Sequence, residues 1–324
     1  MEAAAKKQRR MRRIRLLKAK VLSKRTAVAA VWSLARFLLL VGLSFVIVYP
    51  FLVKISASFM SRNDLLDPTV WLIPRSPTLD NIQLVLTYGE YWKALVNTLL
   101  ISLMCGVLQT LVCAMVGYGF ARFKFRGGTL FFMIAVLTII IPPQVIYTSL
   151  YMKFRYFDMF GIVSLLTGQP LNMVGSPLPM AVLSATGLGL KNGLYIFVMR
   201  QFYKGVPKEL SEAAMVDGSG QIRTYFQIML PLSTPMMLSI FILSFAWQWT
   251  DTFYSDLFFK SMTVLPNIPS LVSRIASEGI MAETMLASTM INTAVILILV
   301  PLFLFFLVAQ RYLIQGIERS GIVG

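Results

Sequence analysis

Residues 207–231 read PKELSEAAMVDGSGQIRTYFQIMLP and lie between two apolar runs, each long enough to cross a bilayer as a helix. Pro207 suits the first turn of a helix, where its missing N–H is not needed. Glu209 and Glu212 follow it in the first turns, where the positive end of the helix dipole favours carboxylates. This polar segment therefore begins as a helix of its own and does more than connect two spans.

The same segment also contains a break and a second start. Gly218 and Gly220, on either side of Ser219, interrupt the first helix. A second short helix is expected over about 221–229, and Pro231 then begins the next span. The pattern predicts a helix–turn–helix surface at the edge of the membrane, and the small side chains of Ala213 and Ala214 would let another protein approach it closely.

The composition of the chain is that of an integral membrane protein. Of 324 residues, 57% are hydrophobic and only 14% are charged, against roughly 25% charged residues in soluble domains. Runs of about 20 apolar residues indicate transmembrane helices, whereas the strands of a membrane barrel alternate apolar and polar residues. We therefore expect an all-α polytopic membrane protein with six spans, at 34–56, 93–119, 128–146, 179–200, 231–253 and 286–310.

Basic residues set the expected orientation, because Lys and Arg concentrate in cytoplasmic segments. Eleven of them precede span one, and the others that matter follow spans two, four and six: Arg122, Lys124, Arg126, Lys204, Lys208, Arg223, Arg311 and Arg319. All of these segments share one side if there are six spans, so both termini are expected in the cytoplasm. The predicted domains are a basic tail (1–33), a transmembrane domain (34–310) containing the loop 204–231, and a C-terminal tail (311–324).

The residue inventory argues against catalysis and against a metal site in this chain. The sequence has no histidine, the commonest metal ligand and general base. Cys105 and Cys113 lie in one apolar span with neither disulfide nor zinc spacing. The Gly-x-x-x-x-Gly-Lys-Ser/Thr loop that cradles ATP phosphates is absent from the sequence. The basic tail could be a nucleic-acid arm, but beside a first span it more commonly sets topology and contacts anionic lipid.

Three motifs in the loop carry a family resemblance: Glu212-Ala213-Ala214, Asp217-Gly218 and Ile228-x-Leu230-Pro231. Together they resemble the EAA loop of ABC-importer permeases. Other segments resemble carbohydrate-importer permeases of the MalG type: 118–127, the pattern Phe245-x-Trp247-x-Trp249-x-Asp251, and the tail residues Gly316, Gly321 and Gly324. Thr250 stands where the family usually has Asn, and the segment 160–190 is longer than is typical.

The resemblance implies a type I ABC importer permease fold in the inner membrane of a bacterium. It implies a second homologous permease subunit, two ATPase subunits that hold ATP and Mg, and an external solute-binding protein; this chain would bind no cofactor, would not be an enzyme and would have no nucleic-acid partner. Glu212 would pair with a basic ATPase residue, Gly218 would supply the turn, and Gly316, Gly321 and Gly324 would reach the ATPase interface. Alternating access would then carry a carbohydrate inwards.

Polar residues inside the spans suggest a pathway. Lys191 is about 13 Å along a helix from Arg200, near the midplane, where a lysine costs roughly 2.5–3.5 kcal/mol to insert. Lys191 and Asn192 either face a substrate cavity or pair with a neighbouring helix, and Lys191 could instead snorkel to the interface. Trp247 and Trp249 either stack on sugar rings or belong to an interfacial belt. Gly189-x-x-x-Gly193 indicates close helix packing or a local break.

Substrate class follows less directly. Lys191, with Lys153 and Arg155 outside, favours acidic oligosaccharides, and the chain is similar to importers of uronate glycans such as alginate. Two other functions stay open at this point: an ABC permease for a solute that is not a sugar, and a membrane-anchored assembly or receptor protein that transports nothing.

Overall fold

The computed structural model describes residues 24–275 and 284–321, with side chains described over 28–272 and 286–313. This part of the chain is helical, and its β-structure is limited to the isolated bridges Met60–Pro77 and Phe157–Leu171. The helices are, in order, α1 Lys24–Ser58, α2 Arg62–Leu66, α3 Asp80–Tyr88, α4 Tyr91–Arg122, α5 Gly128–Ile140, α6 Tyr147–Arg155, α7 Ile162–Thr167, α8 Leu178–Ala185, α9 Asn192–Gly205, α10 Glu209–Val216, α11 Gln221–Thr224, α12 Leu230–Leu232, α13 Thr234–Trp249, α14 Phe253–Phe258, α15 Ile268–Ile275 and α16 Thr284–Gly321.

Three of the described helices are long and apolar enough to cross a bilayer unbroken, namely α1, α4 and α16. Pro50 lies inside α1 and Pro301 inside α16. Proline is tolerated in membrane helices because neighbouring groups can satisfy the carbonyl that loses its partner. α1 already begins at Lys24, within the predicted basic tail, and the rest of that tail, residues 1–23, lies outside the described residues.

Two further pairs of helices are apolar enough to be counted as spans, but each pair is sharply bent. α5 is followed by a 3-10 turn at Pro143–Ile146 and by α6, with a bend of 97°. α11, a π turn at Tyr225–Met229 and α12 precede α13, with a bend of 71°. Prolines cause both bends, since Pro142-Pro143 and Pro235 remove backbone donors and restrict the residue before them. Counting each bent pair as one span gives five spans among the described residues.

The predicted span 179–200 is not one helix. It forms α8 and α9, separated by a break at 186–191. Gly187 has φ +76° and Lys191 has φ +62°, both in the left-handed region that interrupts a helix. The predicted span 179–200 therefore contains a local break, which is one of the two interpretations of its glycines. The apolar composition of residues 179–200 predicts a membrane span, and the left-handed backbone at Gly187 and Lys191 divides this span into two helices.

α4 is the centre of the bundle and packs against α8, α9 and α13. Gly117 allows the closest approach, because a Cβ at this position would lie 2.6 Å from the Met199 Cβ on α9. Gln109 of α4 joins two other helices: its Nε2 donates to Ser184 Oγ at 3.3 Å, and its Oε1 accepts from Ser244 Oγ at 2.6 Å. Gln109 therefore links α4 to α8 and to α13.

The remaining described helices complete the periphery. α16 packs against α13 and against the end of α1, where Lys54 Nζ donates to Asn292 Oδ1 at 2.6 Å. The connections after α6 and after α13 pack together over one end of the bundle, with Gly175 N donating to Phe258 O at 2.8 Å. The loop 204–231 lies at the other end, beside the last turn of α4, where Arg122 Nη2 donates to Val206 O at 2.7 Å.

Candidate functional site

The first candidate surface is the loop 204–231, where α10 carries the Glu-Ala-Ala triplet. Its C-terminus is closed by two hydrogen bonds, from Gly218 N to Met215 O at 3.0 Å and from Ser219 N to Ala214 O at 2.9 Å. This is the Schellman pattern, in which the residue after the helix takes a left-handed conformation. Gly218 does so with φ +79°, and a Cβ there would meet nothing within 4 Å. Glycine is therefore favoured at position 218 because it adopts the left-handed conformation without strain, and not because a side chain would clash.

The two faces of α10 differ in exposure. Ser211 and Ala214 are buried against the body, whereas Glu212, Ala213 and Asp217 are exposed. Apolar side chains surround the exposed face: Val216 is 87% and Ile222 77% exposed, and Leu210, Met215 and Phe226 are exposed as well. Several exposed apolar side chains near a carboxylate are typical of a protein–protein interface. Residues 207–226 are called the docking surface below.

The second half of the loop fastens this surface to the bundle. The helix predicted over 221–229 is α11 followed by the π turn. Tyr225 in that turn contacts Tyr118 of α4, with ring centroids 4.8 Å apart. Tyr118 also meets Tyr203 of α9 at 5.3 Å, and the Tyr203 hydroxyl lies 2.9 Å from Ser233 Oγ.

Sequence reasoning missed these three tyrosines, because nothing in their spacing shows that they meet. They join the docking surface to α4, α9 and the base of α13. Leu230 and Pro231, the end of the motif, form the short α12 at that base, immediately before the 71° bend.

The second candidate site is the break between α8 and α9. Lys191 ends the break and caps α9, and its Nζ lies 4.9 Å from the centroid of the Trp247 ring on α13. Trp247 is 48% exposed, so about half of its surface is free of contacts with described residues. Two residues that the sequence singled out separately thus meet at one position.

Asn192 and Gly193 continue the site into the protein interior. Asn192 is 1% exposed, and neither polar atom of its side chain has a hydrogen-bond partner among the described residues. A Cβ at Gly193 would lie 2.4 Å from Ala135 O and 2.6 Å from Thr138 Oγ1 of α5. Gly193 therefore sets the distance between α9 and α5, which confirms the close packing indicated by the glycine spacing.

Trp249 lies apart from Lys191 and Trp247. It is 2% exposed, and its indole N–H donates to Ile298 O of α16 at 3.0 Å. Phe245 packs against it, with ring centroids 5.5 Å apart. Two residues after Trp249, the Asp251 carboxylate accepts from Tyr254 N at 2.8 Å. Trp249 therefore joins α13 to α16, and its contacts are those of a packing residue.

The described residues contain no group of three or more His, Cys, Asp or Glu side chains that could hold a metal ion. Cys105 and Cys113 are free and buried. Gly316 and Gly321 of the predicted tail lie on α16, whereas Gly324 lies outside the described residues.

Comparison with known proteins matches residues 106–319 to one family, the binding-protein-dependent transport system inner membrane component. Among curated proteins, the chain is 28% identical over 285 residues to the arabinooligosaccharides transport system permease protein AraQ of Halalkalibacterium halodurans, covering 87% of this chain and 93% of that one. It is 30% identical over 250 residues to the alpha-glucoside transport system permease protein AglG of Rhizobium meliloti, covering 76% of this chain and 60% of that one.

Among solved structures, the chain is similar to a chain of a bacterial ABC transporter involved in the import of the acidic polysaccharide alginate. The TM-score is 0.66, and the likeness covers 90% of this chain and 98% of that chain at 16% identity. At this identity the likeness shows a shared fold and does not extend to the substrate.

Proposed function

Since this chain belongs to the family of binding-protein-dependent transport system inner membrane components, we propose that it is a permease subunit of an ABC importer for oligosaccharides. As a permease it is not an enzyme, and ATP and Mg belong to separate ATPase subunits. The family implies ATPase and binding-protein partners, and we propose that a second, homologous permease completes the pathway. The similar curated proteins are named for arabinooligosaccharides and alpha-glucosides, which supports a sugar as substrate.

The docking surface is the observation that carries this function. A folded helix with an exposed carboxylate, exposed alanine and surrounding apolar side chains offers an ATPase both a charge and a close backbone approach. We assign Glu212 to an ion pair with a basic ATPase residue and the exposed Ala213 to the contact between backbones, whereas Ala214, which is buried, seats the helix on the bundle. Asp217 and Gly218 end the docking helix, and Leu230 and Pro231 connect it to the bend below α13. Gly316, Gly321 and Gly324 are proposed to reach the same ATPases.

The break site is the proposed substrate pathway. Broken helices at membrane depth commonly line a binding site, because they free polar backbone groups and admit water. Trp247 offers a half-exposed aromatic face, the type of surface on which a sugar ring stacks, and Lys191 adds a cation beside it. Asn192 would supply amide hydrogen bonds if the break opened, since both polar atoms of its side chain lack partners among the described residues. Trp249 stabilises the position of α13 beside the pathway through its hydrogen bond to Ile298 O of α16.

Lys191 further favours an acidic sugar. A lysine in a membrane bundle needs a counter-charge or water, and the described ion pairs leave it without an acidic partner. A uronate carboxylate passing the break would supply that charge. We therefore propose that acidic oligosaccharides are transported in preference to neutral ones.

Reconstitution tests the proposal. The complete complex would be placed in liposomes with its binding protein, and neutral and uronate oligosaccharides of equal length would be compared for stimulation of ATP hydrolysis and for uptake. We expect ATP-dependent uptake of uronate oligosaccharides. Stimulation by neutral sugars alone would remove the acidic preference and leave the importer, whereas uptake of no oligosaccharide at all would contradict the carbohydrate assignment.

A further inference from the structure

Residues 157–171 form a compact loop whose two ends meet. This loop lies at the end of the bundle opposite the docking surface, and we call it the outer tip. Its two ends pair through Phe157 N to Leu171 O at 3.0 Å and Leu171 N to Phe157 O at 2.9 Å. Phe157 stacks on the buried Phe154, with ring centroids 6.0 Å apart. The base of the outer tip is therefore anchored in the protein.

Hydrogen bonds to the Asp158 side chain also fix the conformation of the outer tip. The Asp158 carboxylate accepts from Ser164 Oγ and from the backbone N–H groups of Val163 and Ser164, the latter two at 3.1 Å. These bonds, with the Ser164 hydroxyl first, hold the pKa of Asp158 below its usual value. The one carboxylate of the segment is thus occupied in shaping it.

The far end of the outer tip is apolar and uncovered. Phe160 is 96% exposed, Leu165 85% and Leu166 80%, and Met159 and Ile162 are each more than half exposed. Phe160 even holds a left-handed backbone with φ +55°, next to Gly161 at +85°. A strained, well-anchored loop that presents its largest apolar side chains outward needs an apolar partner.

Orientation indicates which partner this is. α5 leads towards the outer tip and has no fully buried residue, so the part of its apolar surface that does not meet α9 faces lipid or another membrane subunit. The chain then turns by 97° into α6, which consequently runs along the membrane surface if α5 crosses the membrane. Lys153 and Arg155, in the last turn of α6, are exposed at the start of the outer tip. Apolar side chains beside exposed basic ones are typical of elements that insert into a lipid interface.

We propose that the outer tip inserts Phe160, Leu165 and Leu166 into the outer leaflet, with Lys153 and Arg155 at the level of anionic headgroups. The sequence alone suggested Lys153 and Arg155 as contacts for an acidic glycan, whereas their position beside the tip assigns them to lipid. The tip then fixes the connection between α6 and α8 against the bilayer.

Site-specific labelling tests this assignment in the complete complex. Cys105 and Cys113 are buried, so an environment-sensitive fluorophore can be directed to Leu165→Cys, and to Lys260→Cys as a matched control at an exposed polar position in the connection after α14. In nanodiscs containing lipids brominated in their acyl chains, we expect emission at position 165 to be quenched at least twofold more than at position 260. Equal quenching at the two positions would overturn the proposal.

Two further measurements show whether the outer tip contacts lipid or a protein. If the binding protein, and not the brominated lipid, changes the emission at position 165, the outer tip docks a protein and the lipid assignment fails. In discs with anionic lipid, Lys153→Glu together with Arg155→Glu is expected to reduce quenching at position 165, and quenching that stays the same would overturn the headgroup role of the two residues.

Discussion

The Lys191 ammonium lies 4.9 Å from the centroid of the Trp247 ring, and it reaches that position because the helix containing Lys191 is broken immediately before it. In an unbroken helix, the left-handed conformation of Lys191 would be absent and its side chain would point elsewhere. A cation over an aromatic face is stabilised by about 0.5–2 kcal/mol. The pair is therefore weak enough for a ligand to replace either partner.

Lys191→Gln removes the cation and keeps much of the length and the polarity of the side chain. We expect uptake of uronate oligosaccharides to fall about tenfold, which corresponds to roughly 1.4 kcal/mol, and uptake of neutral oligosaccharides to change much less. Uptake by proteoliposomes of the complete complex measures both, with Lys191→Arg as the control that keeps the charge. Equal losses for the two classes of sugar would contradict a charge-reading role for Lys191.

Trp247→Phe and Trp249→Phe separate a pathway residue from a packing residue. Trp249→Phe removes a buried indole N–H that donates to Ile298 O and leaves a gap, so we expect a loss of about 1–3 kcal/mol of stability, seen as a lower melting temperature in detergent. Trp247→Phe changes a half-exposed ring and is expected to alter uptake while the melting temperature stays unchanged. The reverse pattern would exchange the two roles.

Gly218→Val tests the backbone of the docking surface. A Cβ at this position meets no atom within 4 Å, so the cost is conformational and amounts to about 1–2 kcal/mol for a left-handed residue with a side chain. We expect uptake and binding-protein-stimulated ATP hydrolysis to fall severalfold while the protein remains in the membrane. Gly220→Ala is the matched control, because Gly220 has φ −69° and equally open surroundings; an equal defect there would count against the Schellman turn as the cause.

Glu212→Lys tests the charge on the docking surface. Glu212 is exposed on α10, so reversing its charge should leave folding intact and repel a basic ATPase residue. We expect loss of coupled ATP hydrolysis and uptake, and weaker retention of the ATPase during purification. Glu209→Lys, an exposed carboxylate one turn earlier on the same helix, serves as the control and should retain most activity. Normal uptake with Glu212→Lys would refute its coupling role.

Gly193→Ala tests the contact between α9 and α5. Its new Cβ would lie 2.4 Å from Ala135 O, so the helices must separate, at about 1–3 kcal/mol. Gly119→Ala, on α4, meets nothing within 4 Å and should be neutral or slightly stabilising. Melting temperatures of the two variants in the same detergent provide the comparison, and similar values would show that the close contact has no energetic weight.

The sequence predicted much of the architecture, because apolar length and basic flanks are local properties. It also located the docking surface, since helix starts and glycine breaks depend on neighbouring residues. It could not assign the two tryptophans of α13. Residues two apart on a helix point about 200° away from each other, so Trp247 and Trp249 face different neighbours, and only packing decides that Trp249 meets α16. The meeting of Tyr118, Tyr203 and Tyr225 likewise arises from contacts between distant segments.

The three tyrosines give the docking surface a mechanical consequence. Because they clamp the loop to α4 and α9, and Tyr203 also meets Ser233 at the base of α13, the loop, α4 and α9 form one body, and the 71° bend is the place where α13 would rotate against it. α13 is about 24 Å long, so a rotation of about 15° at its base would displace its far end by about 6 Å. Trp247 lies near that far end, and the same stroke would separate its ring from Lys191.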